Sequence, residues 1–153
     1  MRKLVNRFKK LKNERGLTLV ELLAVIVILA IVAIIAFVLI GNVIENSRAD
    51  AHISNAQQLI SAAKLYDAQG GEFNATTGQV THAELKSAGL IGDLIDPWGE
   101  DGNYGQGAYV TKTVTDGEVS YTVTLNAPNG KSEYNITDAS EEDLAGGRDT
   151  LFP

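Results

Sequence analysis

Residues 14–42 read ERGLTLVELLAVIVILAIVAIIAFVLIGN, and this stretch decides the fold. From Leu22 to Ile40 there are 19 residues without a charge, a proline or a glycine. As a helix they span about 28 Å, close to the hydrocarbon thickness of a bilayer. The run is apolar on every face, so no periodicity marks an inside. A single carboxylate, Glu21, stands at its start, five residues after Gly16. An ionised group within a lipid span points to function and needs a partner.

Charge is distributed unevenly around this run. Residues 1–16 hold seven basic residues against one acidic, a net +6, whereas residues 17–153 hold six basic and 18 acidic, a net −12. A basic leader on an acidic body reads as a targeting segment, and the bias of basic residues puts the N-terminus in the cytoplasm and the C-terminus outside. A body of charge −12 repels phosphate, so no direct nucleic-acid binding is expected. The absence of cysteine excludes a disulfide framework and thiolate metal sites. A secretory signal peptide would have a shorter apolar region with a small-x-small site close behind it. The nearest such triplet, Ala49-Asp50-Ala51, lies well beyond the run in a polar stretch.

The nine residues RGLTLVELL, Arg15 to Leu23, resemble the processing site of type IV prepilins and type II secretion pseudopilins. The shared pattern is a basic leader, Gly, an apolar residue (most often Phe, here Leu17), Thr-Leu-[IV]-Glu and about twenty apolar residues. The resemblance covers the leader and the first helix. It implies cleavage after Gly16 by a prepilin peptidase, methylation of the new N-terminus at Leu17, and a homo-polymer assembled through the N-terminal helix with Glu21 as the assembly residue. It further implies an assembly platform in the membrane and a final place in an extracellular or surface filament. The filaments of this family serve adhesion and motility, DNA uptake or secretion.

The residues themselves leave two roles open for Glu21. TLVE, Thr18 to Glu21, fits a capping box, and a carboxylate in a first helical turn complements the helix dipole. Alternatively Glu21 pairs with an ammonium. A cut after Gly16 creates one on Leu17, about one turn away, and a neighbour staggered along an assembly offers another. Ala30, Ala33 and Ala36 recur at steps of three, which suits close helix approach but is also common in apolar helices.

The helix is expected to continue to about Gln69, some 53 residues and roughly 80 Å from Leu17, because no proline interrupts it and Gly70-Gly71 is a stop signal. Ala49, Ile53, Ala56, Ile60 and Ala63, widened by Leu59 and Tyr66, form a stripe at helical spacing. The expected fold is therefore α+β and pilin-like: a long N-terminal helix, transmembrane in one half and amphipathic in the other, packed against a small antiparallel sheet. The divisions are a leader at 1–16, a transmembrane and assembly helix at 17–41, and a head at 42–153. The head comprises the amphipathic helix at 42–69, an αβ loop at 70–108 and a three-stranded meander at 109–137 with an acidic loop-like tail. Within it, Thr81, Glu84 and Gly89 mark the start and stop of a short helix. AYVTKTVT, EVSYTVTL and SEYNIT read as strands, separated by the turn signals Asp116-Gly117 and Pro128-Asn129-Gly130.

The αβ loop contains DPWG, Asp96 to Gly99, which resembles a motif of major pseudopilins whose Trp packs into the head. A turn at Asp96-Pro97 with Trp98 plugging the core is the simpler reading. Asp96, Glu100, Asp101 and Asn103 are also hard oxygen donors of a type suited to calcium, though their spacing is not an EF-hand. In the resembling pseudopilins the calcium ligands lie in a later, Asp-rich loop, and the corresponding NAPNGKSE here lacks those aspartates. His52 and His82 read as surface or cap-adjacent residues, and no catalytic motif is present, so no enzyme and no other cofactor is expected. Asn74-Ala75-Thr76 and Asn135-Ile136-Thr137 match the short and frequent N-glycosylation pattern. Two function classes remain: a processed subunit that polymerises, and a single-pass, membrane-anchored extracellular binding module that keeps its leader.

Overall fold

The computed structural model describes residues 2–99, 104, 107–128 and 131–152, with side chains from Thr18 onward. It is an α+β chain with a long N-terminal helix, α1 (Arg2–Ala68), followed by a small antiparallel sheet. The chain divides into two compact units, Met1–Ile44 and Glu45–Pro153. Because α1 already includes Thr18 and Glu21 in its interior, TLVE is not a helix start in the uncut chain, and the capping-box reading of those residues does not hold there.

In the first unit the large apolar side chains from Leu19 to Ile44 are exposed, from 48% at Ile44 to 81% at Phe37. Within the second unit the expected stripe is the core: Ala49, Ile53, Ala56, Leu59, Ile60 and Ala63 are all buried, with Tyr66 packed against them. α1 ends where the glycines dictate. Gly70 adopts φ +80°, and the Gly70 and Gly71 N–H groups donate to the Asp67 and Tyr66 carbonyls, the two bonds of a Schellman cap.

The sheet has the order β1 (Gln79–Thr81), β2 (Ala108–Thr115), β3 (Glu118–Leu125), β4 (Ile136–Ala139), every pair antiparallel. Val80, Val110, Val123, Ala108, Leu125 and Ile136 oppose one another across the strands and are buried together on one face. The β2–β3 hairpin turns at Asp116 (φ 53°) and Gly117 (φ 87°), as the Asp-Gly signal requires. Helix α2 (His82–Ser87) has the expected Thr81–Glu84 capping box, and Gly89 at φ +74° ends it.

Three expectations need correction. The sheet has four strands, not three, because the short β1 pairs with Thr111, Val110 and Tyr109 of β2. SEYNIT is not one strand: Ser132–Tyr134 form a 3-10 turn and β4 begins at Ile136. The acidic tail is helical, not loop. Ser140 and Asp143 form a capping box for α3 (Glu141–Ala145), and α4 (Arg148–Leu151) follows. Leu144 anchors α3 in the core at 1% exposure, and Arg148 pairs with Asp50 of α1 at 2.7 Å.

Leu144 and Leu65 provide a direct comparison. Truncating the buried Leu144 to Ala should destabilise the head by about 2–5 kcal/mol, whereas Leu65→Ala, at a position 48% exposed, should stay within about 0.5 kcal/mol. Denaturant titration of the detergent-solubilised chain measures both, and equal losses would contradict the packing described for α3.

Candidate functional site

The sequence-derived site residues fall into two groups. Gly16 and Leu17 belong to the helical backbone of α1, but their side chains lie outside the described residues. Glu21 is exposed, flanked by the exposed Val20 and Leu22. Its carboxylate therefore sits on an apolar helical surface that extends to Ile44.

The second group lies in the head. Asp96 is buried, and its Oδ1 accepts the Trp98 N–H at 3.0 Å while its carbonyl accepts the Gly99 N–H at 3.2 Å. This is an Asx-type turn, as Asp-Pro suggested. The remaining candidate calcium donors, Glu100, Asp101 and Asn103, lie outside the described residues. Among the described residues no three His, Asp or Glu side chains gather as a metal site. Trp98 does not plug the core. It is half-buried, stacked on Tyr134 with centroids 4.7 Å apart and edge-on to His52 at 5.4 Å. Its indole N–H has to find an acceptor, and it donates to Glu45 Oε1 at 3.0 Å.

Glu45 therefore holds two loops. Besides Trp98, Lys131 donates to the same oxygen at 2.5 Å. Lys131 holds the Glu45 carboxyl below the usual carboxylate range, and Glu45 in turn raises Lys131. Both side chains remain partly in water, so the pair locates the loops more than it stabilises the fold.

About two turns further along lies a residue the sequence reading misplaced. His52 is not at the surface; it is fully buried. The Leu125 carbonyl can only accept, so His52 Nε2 carries the proton and donates to it at 3.3 Å. Nδ1 then accepts from the Tyr104 hydroxyl at 2.9 Å, and Asn55 Nδ2 donates to that hydroxyl oxygen at 2.9 Å and to the Ile95 carbonyl at 2.9 Å. Every link has one donor and one acceptor only while the imidazole is neutral. Burial lowers the His52 pKa despite the Leu125 bond, and burial raises that of Tyr104. The missed signal was positional. Residues 49, 52, 56, 59 and 63 keep steps of three and four, so His52 belongs to the buried stripe. His82 is cap-adjacent as expected, but buried, with Nε2 bonded to the Gly92 carbonyl at 2.9 Å.

A third polar tie closes the far end of the helix. Asp67 accepts from Lys112 Nζ and from the Tyr121 hydroxyl, both at 2.6 Å, linking α1 to β2 and β3. Lys112 is the main reason the Asp67 carboxyl stays below its ordinary range, and burial with Asp67 pushes Tyr121 up to about 12. All three ties position backbone elements; none sets a nucleophile against a base.

Among known protein families, residues 11–37 match the model of the prokaryotic N-terminal methylation motif. The matched segment contains Gly16, Leu17 and Glu21, and the chain carries a type IV prepilin-like signal segment. The head lies outside the match. No curated protein and no solved structure matches the chain.

The His52 relay has a pH consequence with a definite sign. Its folded pKa lies below the unfolded value of about 6.5, so the unfolded chain takes up the proton first. The stability it contributes is complete above about pH 6.5 and is lost as pH falls through that value toward the folded pKa. Glu45 and Asp67, whose folded pKa values are lowered, lose theirs only at lower pH, as it falls through the ordinary carboxylate range toward those folded values. The melting temperature of the solubilised chain should therefore drop between pH 7 and pH 5, and His52→Gln should flatten that drop. An unchanged slope in the variant would contradict the neutral relay.

Proposed function

We propose that the chain is a structural subunit precursor that is cut after Gly16, methylated on Leu17 and polymerised through α1 into a pilus-like filament, with its head outside the membrane. The observation that carries this reading is the methylation-motif match at residues 11–37, lying on a helix whose apolar side chains are exposed from Leu19 to Ile44. Those side chains need lipid or other helices around them. The leader supplies +6 of charge to hold the precursor at an anionic cytoplasmic surface, and its removal frees the helix to bundle with copies of itself.

Gly16 serves the cut in two ways. A glycine inside a helix costs roughly 0.5–1 kcal/mol relative to alanine, which makes Gly16 a local weak point where the backbone opens. Its missing side chain also admits the peptidase to the scissile bond. Glu21 serves assembly. A Leu17 ammonium on an adjoining subunit is an opposite charge in the same apolar setting. A binding module that keeps its leader would make both residues dispensable.

Two variants test the two steps. Gly16→Val should accumulate as uncut, membrane-bound precursor; a mature chain beginning at Leu17 in that variant, read by intact mass, would remove the processing step. Glu21→Gln should be cut normally yet fail to form filaments, because the neighbouring ammonium is left buried and unpaired at a cost of about 3–5 kcal/mol per subunit. Negative-stain microscopy of sheared surface fractions, beside a blot for mature chain, reads the outcome. Abundant filaments from the Gln variant would reject the pairing.

A further inference from the structure

Two segments of the head carry the Asn-x-Thr pattern, and the fold treats them differently. Asn74, Ala75 and Thr76 are all exposed, in a turn that the Asn74 N–H closes onto the Gln79 carbonyl at 2.9 Å and the Gly78 N–H onto the Asn74 carbonyl at 2.8 Å. Gly78 makes the turn tight: it sits at φ +68°, and a Cβ there would meet the Lys112 carbonyl at 2.6 Å. Within this fixed frame Asn74 Oδ1 accepts from the Thr76 and Thr77 N–H groups at 3.0 and 3.1 Å. Asn74 Nδ2 and the Thr76 hydroxyl bond to no other group among the described residues.

In the second segment Asn135 and Thr137 are also exposed, but the residue between them is held by the fold. Asn135 Oδ1 accepts the Ala127 N–H at 2.8 Å, and Ile136 is 1% exposed in β4, paired with Leu125. Ile136 and Thr137 belong to β4, so reshaping the backbone of this segment around an enzyme would require peeling β4 from the sheet.

We propose that Asn74 is a glycan acceptor, modified by an isoprenoid-diphosphate-linked oligosaccharide. Asn74 Nδ2 attacks the anomeric carbon of the first sugar. The new bond is N–C, the bond broken joins that carbon to the diphosphate oxygen, and the diphosphate leaves with the electron pair. One Nδ2 proton passes to a base of the transferase. Two N–H donors at Oδ1 stabilise the negative charge that builds there as the proton departs, which is the electrostatic logic of an oxyanion site. The free Thr76 hydroxyl is what the sequence pattern demands of its third residue. The inference rests on the head lying outside the membrane, where a secreted surface turn meets such a donor.

The test uses the mature chain from the membranes of the cells that make it. Digestion after Lys64 and Lys86 isolates Asn74, and digestion after Lys131 and Arg148 isolates Asn135. Mass spectrometry should find a sugar increment on the first peptide and none on the second. Thr76→Ala should abolish the increment and Thr76→Ser should keep it, although Thr76 gives the fold only its backbone N–H. Protease digestion of the head on spheroplasts reads its exterior placement separately. An accessible head with bare Asn74, or with sugar on Asn135, overturns this inference alone; an inaccessible head overturns the exterior placement as well.

Discussion

The head depends on the burial of one helical seam. Ala49, His52, Ile53, Ala56, Leu59, Ile60 and Ala63 present one buried face, in which Leu59 and Ile60 are the largest fully buried side chains. Burying a large aliphatic side chain contributes about 1.5–3 kcal/mol, and the seam meets Val80, Val110, Val123, Leu125 and Ile136 from the sheet. The polar ties follow from it. Glu45, His52 and Asp67 lie along the same helix and each fastens a different part of the sheet or its loops. His52 is the polar exception within the seam, and it is tolerated because both ring nitrogens are bonded.

What could be read from the sequence was whatever is decided locally. The Asp-Gly turn, the Thr81–Glu84 capping box, the Gly70-Gly71 stop and the apolar period all depend on residues within one or two turns of each other, and all appear in the structure. β1 escaped because three residues become a strand only through pairing with β2. The tail escaped because its acidic composition outweighed a Ser140–Asp143 capping box and a single apolar anchor, Leu144. His52 was assigned by its polarity and not by its place in the period, and Trp98 by its size and not by the acceptor its N–H requires. At the N-terminus the methylation motif was legible in nine residues, because a processing enzyme reads a short linear segment and no tertiary packing has to be inferred.

The same helix serves two solvents. From Leu22 to Ile40 its exposed side chains are apolar on all sides, so nothing in that run distinguishes a lipid neighbour from a helix of the same kind. Glu21 near one end and Asn42 near the other bound it with polar side chains.

The β2–β3 hairpin reaches beyond the core. From Thr113 to Ser120 every residue is exposed, and Val114 and Val119 face each other across the strands at 60% and 44% exposure. No buried contact constrains the tip, and lengthening a surface loop costs little, about 0.6 kcal/mol for each doubling. The turn at Asp116-Gly117 is thus the natural point to splice in an epitope or a fluorophore-binding tag. A label carried there would report on the chain in living cells while leaving the seam and the methylation-motif segment as they are.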